Sequence, residues 1–481
     1  MFFSRRQALK TAGCGFGYLA LAGLAQASVP LSPGGRGVRG EGVDPLAPKA
    51  PHHAPKAKRI IFLFMQGGPS QVDSFDYKPV LAQRDGQQMP FDDARTIANT
   101  GQKQSSQRIM KNMWKFTQHG KSGRWASSLF PHVNQHVDDL CFVHSMHTEG
   151  VAHGPATLFL HTGSTNMIRP SMGSWITYGL GTENANLPGF VTIAPSPGNG
   201  GARNFGNAFL PSVYQGTALG TAGGPIEKMI IRHLKNSNYS AGEQEQFLGL
   251  LNKLNAEQLA VRPGDKELEA VAQSYELAWR MQQQAPDVLD LTKEKPETLA
   301  MYGIGQKETD DFGKQCLMAR RLCEAGVRFI QVTHGDASAN PKWDQHSNLA
   351  KHADHAKSVD QPIAALLADL KRRGLLEDTL IWWGGEFGRT PYAEKNGSGR
   401  DHNPGGFTVW LAGAGVKPGF AYGATDEFGH HAIQDKVHMH DLHATILHLL
   451  GLDHEKLTFQ YAGRPFRLTD VHGRVVKEIL V

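Results

Sequence analysis

Short, mostly apolar blocks recur along the chain. Ile60-Ile61-Phe62-Leu63-Phe64 follows Lys58-Arg59 and stops at Gly67-Gly68-Pro69. Leu140 to Val143, Val327 to Val332, Thr379 to Trp383 and Phe407 to Leu411 have the same character. Runs of this length without polar alternation predict strands buried on both faces of a parallel sheet. Between them the period changes. Phe312 to Ala325 repeats its apolar residues at helical spacing and meets Gly326; Gln361 to Arg373 meets Gly374, and Asp441 to Leu450 meets Gly451. Strand alternating with helix implies right-handed crossovers. The predicted fold is therefore α/β, a three-layer, mostly parallel sheet flanked by helices. Residues 195–310 break the alternation with a Pro/Gly/Asn-rich loop and charged amphipathic helices such as Asp265 to Gln284. They read as an inserted helical cap.

Composition narrows the function classes. With 40% hydrophobic and 20% charged residues the chain is not intrinsically disordered. The net charge of +5 suggests a basic partner surface until it is divided. Residues 1–58 hold eight Lys/Arg against two Asp/Glu, and the remainder holds 42 against 43. Nucleic-acid binding thus loses its electrostatic basis. No uncharged apolar run reaches the length of a membrane span.

The excess positive charge lies in a leader and the segment after it. Ser4-Arg5-Arg6-Gln7-Ala8-Leu9-Lys10, an apolar stretch to Ala25 and the Ala25-Gln26-Ala27 site resemble a twin-arginine signal peptide over 1–27. Residues 28–57 are rich in Pro and Gly and read as a flexible linker, leaving 58–481 as the folded domain. The expected location is periplasmic or extracellular. Cys141, Cys316 and Cys323 remain after cleavage. Cys316 and Cys323 lie about 10 Å apart on one helix, too far to bridge, so core positions are expected rather than a disulfide scaffold.

In open parallel sheets ligands bind beyond the carboxyl ends of the strands. The polar residues following each predicted strand are the candidates: Gln66 to Asp76, His144 to His153, His334 to His346 and Glu386 to Arg389, with Arg400 to Pro404 before the last strand. Carboxylates and imidazoles from five distant segments make up a divalent-metal site. Asp344 and His346, two apart, share a direction in an extended loop. Asp344, His346, Glu386 and His402 are the predicted metal ligands, with zinc, calcium or manganese as the ion. Arg389 suits an oxyanion, or serves Glu386 as a structural ion pair. Asp401 is an orienting partner for His402 or a plain loop residue. The densest histidine group, His430, His431, His438, His440 and His443, reads mainly as helix capping and core packing.

Several motifs carry a family resemblance: IIFLFMQGGPSQVDSFD from Ile60 to Asp76, His153-Gly154-Pro155-Ala156, Trp343-Asp344-Gln345-His346, Gly385-Glu386-Phe387-Gly388-Arg389-Thr390-Pro391, Gly399-Arg400-Asp401-His402 and His440-Asp441-Leu442-His443-Ala444-Thr445. They closely resemble the twin-arginine-exported family known as domain of unknown function fifteen-oh-one. That family looks like a branch of the alkaline phosphatase and sulfatase superfamily, whose members hydrolyse phosphate or sulfate esters with one or two metals and a nucleophile at a helix N-terminus. The resemblance implies such a fold, with the metal-binding Asp pair falling on Gln66 and Gly67, where Asp73 or Asp76 could substitute. The nucleophile position falls on His153, and the strand-end Asp-His-Gly on Glu386-Phe387-Gly388. His402 resembles a late metal-binding His; Asp441 and Thr445 fall on the closing helix. His153 cannot become formylglycine, so a usual sulfatase mechanism is not expected.

The expectation is an exported, metal-dependent hydrolase of a small-molecule or glycan anionic ester. His153 acts as nucleophile, acid/base or further ligand, and Arg389 with Gly67, Gly68 and Ser70 holds substrate. The rival is a non-catalytic binding protein on the same fold; a third is redox or isomerase chemistry at the metal.

Overall fold

The structure is a computed structural model and describes residues 44–91, 106–224, 238–262, 265–394 and 397–481. The leader and most of the linker lie outside them. The strands are β1 (Arg59–Met65), β2 (Leu140–His147), β3 (Phe190–Ile193), β4 (Thr217–Leu219), β5 (Phe329–His334), β6 (Thr379–Gly384), β7 (Gly388–Ala393), β8 (Arg400–Asn403), β9 (Phe407–Ala412), β10 (Phe420–Tyr422) and β11 (Val437–His438), of which β1, β2, β5, β6 and β9 were expected from the sequence. Nine form one sheet in the order β10-β2-β9-β6-β1-β5-β3-β4, with β11 added beside β2. Only β9 runs against the others. From Ile60 to Met65 every residue of β1 is buried, so both faces of the sheet are covered. The fold is α/β with a central, mostly parallel sheet flanked by helices.

The helices that matter here are α1 (Gln71–Ser74), α2 (His153–Thr162), α3 (Met172–Leu180), α4 (Ala241–Val261), α5 (Lys266–Leu289), α6 (Asp310–Glu324), α7 (His352–Arg372) and α8 (Met439–Leu449). Helix α6 packs on β1 and β5, and α7 packs on α6. Cys316 and Cys323 are buried free thiols in that layer. Trp382 stacks on Phe62 and Trp383 lies parallel to Trp410, all within the core.

Two boundaries differ from those read in the sequence. Within 195–310, α4 and α5 pack as a helical pair, but Thr217–Leu219 pairs with β3 as the outermost strand of the main sheet. Three residues are too few to show a strand period, so the segment reads as loop. From residue 44 the Pro-rich segment is no free tether. Its backbone bonds to the ends of α3 and α8 through Lys49 N–H to Leu180, and through Lys56 and Ala57 N–H to Leu449. Composition reports the lack of periodicity there, not the tertiary contacts.

The register places the site. Phe64 pairs with Gly384 and Met65 with His334. β1, β5 and β6 therefore end level, and the residues after them share one edge. β7 and β8 form a separate antiparallel hairpin, with Arg389 opposite His402, rising from that edge just after β6. The sequence suggested only loop there. No helix among the described residues is long and apolar enough to cross a membrane.

Candidate metal centre

Four side chains converge beyond the strand ends: His153, Asp344, His346 and His402, each offering one ligand atom within 4.8 Å of the others. His153 is the first residue of α2. Asp344 and His346 come from the loop after β5. That loop closes tightly on β1, because Gly67 has φ +114° and a Cβ there would lie 2.6 Å from the Asp344 backbone nitrogen. A Cβ on Gly399 would meet the backbone of His346 at 2.2 Å. These two glycines let the loop, the hairpin and the strand end approach each other.

Asp344 Oδ1 is the hub. His346 Nε2 lies 2.9 Å away, His402 Nε2 3.2 Å and His153 Nε2 3.2 Å. His346 Nε2 and His402 Nε2 are also 2.9 Å from each other. The far side of each ring assigns its tautomer. His153 Nδ1 is 2.6 Å from Glu386 Oε1, His346 Nδ1 is 2.9 Å from Glu394 Oε1, and His402 Nδ1 is 2.6 Å from the Val151 carbonyl. Each partner is an acceptor, so each Nδ1 carries a proton and each Nε2 turns a lone pair inward. Three lone pairs and a carboxylate oxygen then face one point. That arrangement is repulsive until a cation or extra protons occupy it. His153 Nε2 is buried and has no hydrogen bond of its own.

Ionisation follows from this. Burial works against charging His153, but Asp344 and Glu386 outweigh it and raise its pKa. Burial likewise opposes charge on His346, and Asp344 with Glu394 raises it. At His402 burial dominates, helped by Arg389, and pushes it down to about 3. Burial of Asp344 favours its neutral form, yet the three imidazoles and Arg389 hold its carboxyl far below the usual range. Without metal, the same carboxylates favour protons on His153 and His346.

The donor set fits a metal ion. Three imidazoles, each held from behind by an acceptor, and one carboxylate that accepts from Arg389 suit a first-row transition ion. It does not fit calcium, which takes six to eight oxygens.

Residues 57–480 match the family described as "Protein of unknown function (DUF1501)". The chain belongs to the DUF1501 family. No curated protein sequence matches it. Among solved structures, the DUF1501 chain overlaps a point mutant of the alkaline phosphatase from the Antarctic bacterium TAB5, with magnesium bound, at TM-score 0.34; identity is 11% over 83% of this chain and 99% of that one. A Pseudoalteromonas sulfatase overlaps at TM-score 0.35, with 12% identity over 82% of this chain and 68% of that one. The lipoteichoic acid synthase LtaP of Listeria monocytogenes overlaps at TM-score 0.32, with 9% identity over 88% and 78%. At these scores none of their residues is placed on this chain.

The structure sorts the residues expected of the DUF1501 site. Asp344, His346 and His402 lie together, and His153 joins them as the fourth donor. Glu386 stands one step behind: its carboxylate receives the Gly67 N–H at 3.0 and 3.1 Å and holds His153 Nδ1. A ligand role for it is corrected to a supporting one, since its oxygens are committed to these bonds.

Arg389 is corrected as well. Its guanidinium is fully buried and donates to the carbonyls of Gly67, Gly68, Trp343 and Arg400 and to Asp344 Oδ1. It braces the loop and the ligand rather than reaching a substrate. Gly67 and Gly68 spend their carbonyls on Arg389, and buried Ser70 bonds Asp73 and His352. The Gly67 N–H goes to Glu386 as well, so Gly67 and Ser70 are engaged within the protein. Asp401 Oδ1 receives the His402 N–H and lies 3.7 Å from His346 Nδ1.

Of the resemblance-derived positions, Gln66 is buried at the strand end and Phe387 packs on His402. Asp73 pairs with buried Arg400, Asp76 with Lys78 and Thr425. Asp441 caps α8 and Thr445 bonds within it. Glu394 and the Val151 carbonyl were not anticipated. Glu394 directly follows β7, and only the hairpin pairing reveals its approach to His346.

Proposed function

We propose that this DUF1501 protein is an exported, metal-dependent hydrolase of a small anionic phosphate or sulfate ester. The observation that carries the proposal is the convergence of three Nε2 lone pairs on Asp344, each imidazole fixed through Nδ1. A borderline ion such as zinc, manganese or iron suits that set. When bound, it supplies Lewis acidity toward an ester oxygen and acidifies water.

The chain's own residues do the rest. Glu386, Glu394 and Val151 hold the imidazoles in the ligating tautomer. Arg389 pins Asp344. His153 has its Nδ1 tied to Glu386 and its Nε2 turned into the donor set, which leaves no lone pair for a phosphohistidine; direct attack by water fits better. Solvent reaches the cluster from His346, whose side chain is 30% exposed while His153 is 6% exposed.

A second reading rests on one specific observation. Four protein donors are enough to fill a tetrahedral ion, as in structural sites. On that reading the protein binds its ligand without turnover. The leader supports export through its twin arginines and apolar core.

The experiment is metal analysis of the mature protein, followed by turnover of nitrophenyl phosphates, phosphodiesters and sulfates. One transition ion per chain and metal-dependent hydrolysis are expected. Stoichiometric metal without turnover of any ester supports the second reading.

A further inference from the structure

Four protein donors close a tetrahedral ion, yet a metal-dependent hydrolase needs a coordination position for its ester. The four donors are not held alike. His153 opens α2 and gives its Nδ1–H to Glu386 Oε1 at 2.6 Å; its ring lies 5.1 Å from that of Phe387 and 4.4 Å from that of His402. His402 sits in β8, gives its Nδ1–H to the Val151 carbonyl at 2.6 Å and stacks on Phe387 at 4.5 Å. Asp344 Oδ1 accepts from the buried Arg389 guanidinium at 2.7 Å. The side chains of His153, His402 and Asp344 are 6%, 12% and 1% exposed.

His346 is held differently. Its side chain is 30% exposed, and it stands in the loop after β5 rather than in a helix or strand. Among the described residues, the aromatic ring it meets is that of His402, at 4.6 Å. Its Nδ1 partner Glu394 is partly exposed, whereas Glu386 behind His153 is fully buried. The backbone on either side is fixed. Arg400 N–H donates to the Gln345 carbonyl at 3.1 Å, and Leu349 N–H donates to the Ser398 carbonyl at 2.8 Å. The ring can therefore leave the cluster by rotation about its own side-chain bonds, toward solvent, with the loop in place.

We infer that His346 is the exchangeable donor of the centre: its imidazole turns out to solvent and a tetrahedral oxyanion takes its place, while His153, His402 and Asp344 keep the ion. Two imidazoles and one carboxylate are the protein ligands of open catalytic zinc sites. Turning His153 out instead would take a hydrogen bond from a fully buried carboxylate, which costs more than uncovering one that water already reaches. Turning His402 out would unstack it from Phe387 and strip the Val151 carbonyl. The exchange rests on the proposed metal centre and the oxyanion on the hydrolase reading.

The test uses zinc-loaded mature protein, with inorganic phosphate as the probe. X-ray absorption is recorded with and without phosphate. In the wild type, imidazole scattering is expected to fall from three rings to two as phosphate binds. His346→Ala is expected to keep zinc and to show two rings from the outset. It is also expected to bind phosphate about tenfold more tightly by calorimetry, because the cost of vacating the position is gone. His346→Gln serves if that variant does not fold. In competition with a chelator, His402→Ala is expected to hold zinc more weakly than His346→Ala.

Three rings retained with phosphate bound overturn the inference. So does phosphate bound no more tightly by His346→Ala than by wild type, phosphate bound by neither protein, or zinc held more weakly by His346→Ala than by His402→Ala. Turnover of the nitrophenyl esters is scored separately. Esters hydrolysed with all three rings retained leave the hydrolase reading standing and remove the exchange. One ring lost on phosphate binding, with no ester hydrolysed, keeps the exchange and removes the hydrolase reading.

Discussion

Two of the buried histidine-rich regions among the described residues are built in opposite ways. Around Asp344, every imidazole has an acceptor behind Nδ1 and turns Nε2 toward a shared oxygen. Around α8, His440 Nε2 donates to the Gly163 carbonyl at 3.1 Å and His443 Nε2 to the Leu160 carbonyl at 2.8 Å. Their Nδ1 atoms have no hydrogen-bond partner and no carboxylate gathers them. Among the described residues, the second group does not meet the geometry of a metal cluster. Local histidine density is therefore a poor guide to metal binding. What matters is whether donors face one another with their proton-bearing sides tied off.

The largest contrast is expected from removing the hub. Asp344→Ala takes away one ligand and leaves Arg389 buried beside an empty place. Metal content is expected to fall from one ion per chain to near zero, and stability to drop by about 3–5 kcal/mol, read by denaturant titration. His443→Ala is expected to cost about 1–3 kcal/mol through a lost buried bond and to leave metal stoichiometry unchanged. Loss of metal in His443→Ala, or its retention in Asp344→Ala, breaks the comparison.

A smaller effect sharpens it. Glu386→Gln keeps the shape but weakens the grip on His153 Nδ1. Metal affinity is expected to fall about 10- to 100-fold, measured by competition with a chelator, while the fold is retained. An unchanged affinity separates Glu386 from the centre.

The smallest effect is in pH dependence, where His153 and His346 carry the opposite sign to His438 and His443. Burial lowers the folded pKa of His443 to about 3 and that of His438 to about 4. The unfolded chain, near 6.5, then takes up protons first. Stability is full above about pH 6.5 and falls as pH drops toward those values. His153 and His346 are raised instead. In metal-free protein their contribution is complete below about pH 6.5 and is lost as pH rises through their folded pKa values. The stability gap between metal-free wild type and His346→Gln should thus shrink with rising pH. That between wild type and His443→Gln should grow in favour of wild type. Parallel trends in both pairs contradict the assignment.

Much of this architecture was legible in the sequence. The apolar blocks of β1, β5 and β6 carry no polar alternation because both faces are buried, and their ends pointed to the loops that hold Asp344 and His346. Three features could not be read. β4 is three residues long and edge-paired, below any detectable period. The reversed direction of β9 depends on its partners, not on its own pattern. β7 and β8 look like loop because Arg389, Arg400 and Asp401 are polar, yet all three are buried, the two arginines through bonds to distant backbone. Arg389 and Glu386 were misjudged for the same reason. A buried charge after a strand signals a demanding environment, but the sequence does not say whether its partner is a ligand or the protein itself.

X-ray absorption on zinc- or manganese-loaded mature protein examines the central claim most directly. One ion per chain is predicted, with a first shell of imidazole nitrogens and carboxylate oxygen at about 2.0–2.2 Å and its imidazole scattering diminished in His402→Ala. Protein that retains no transition ion after loading, or binds it in a shell unaffected by His402→Ala, would contradict the account.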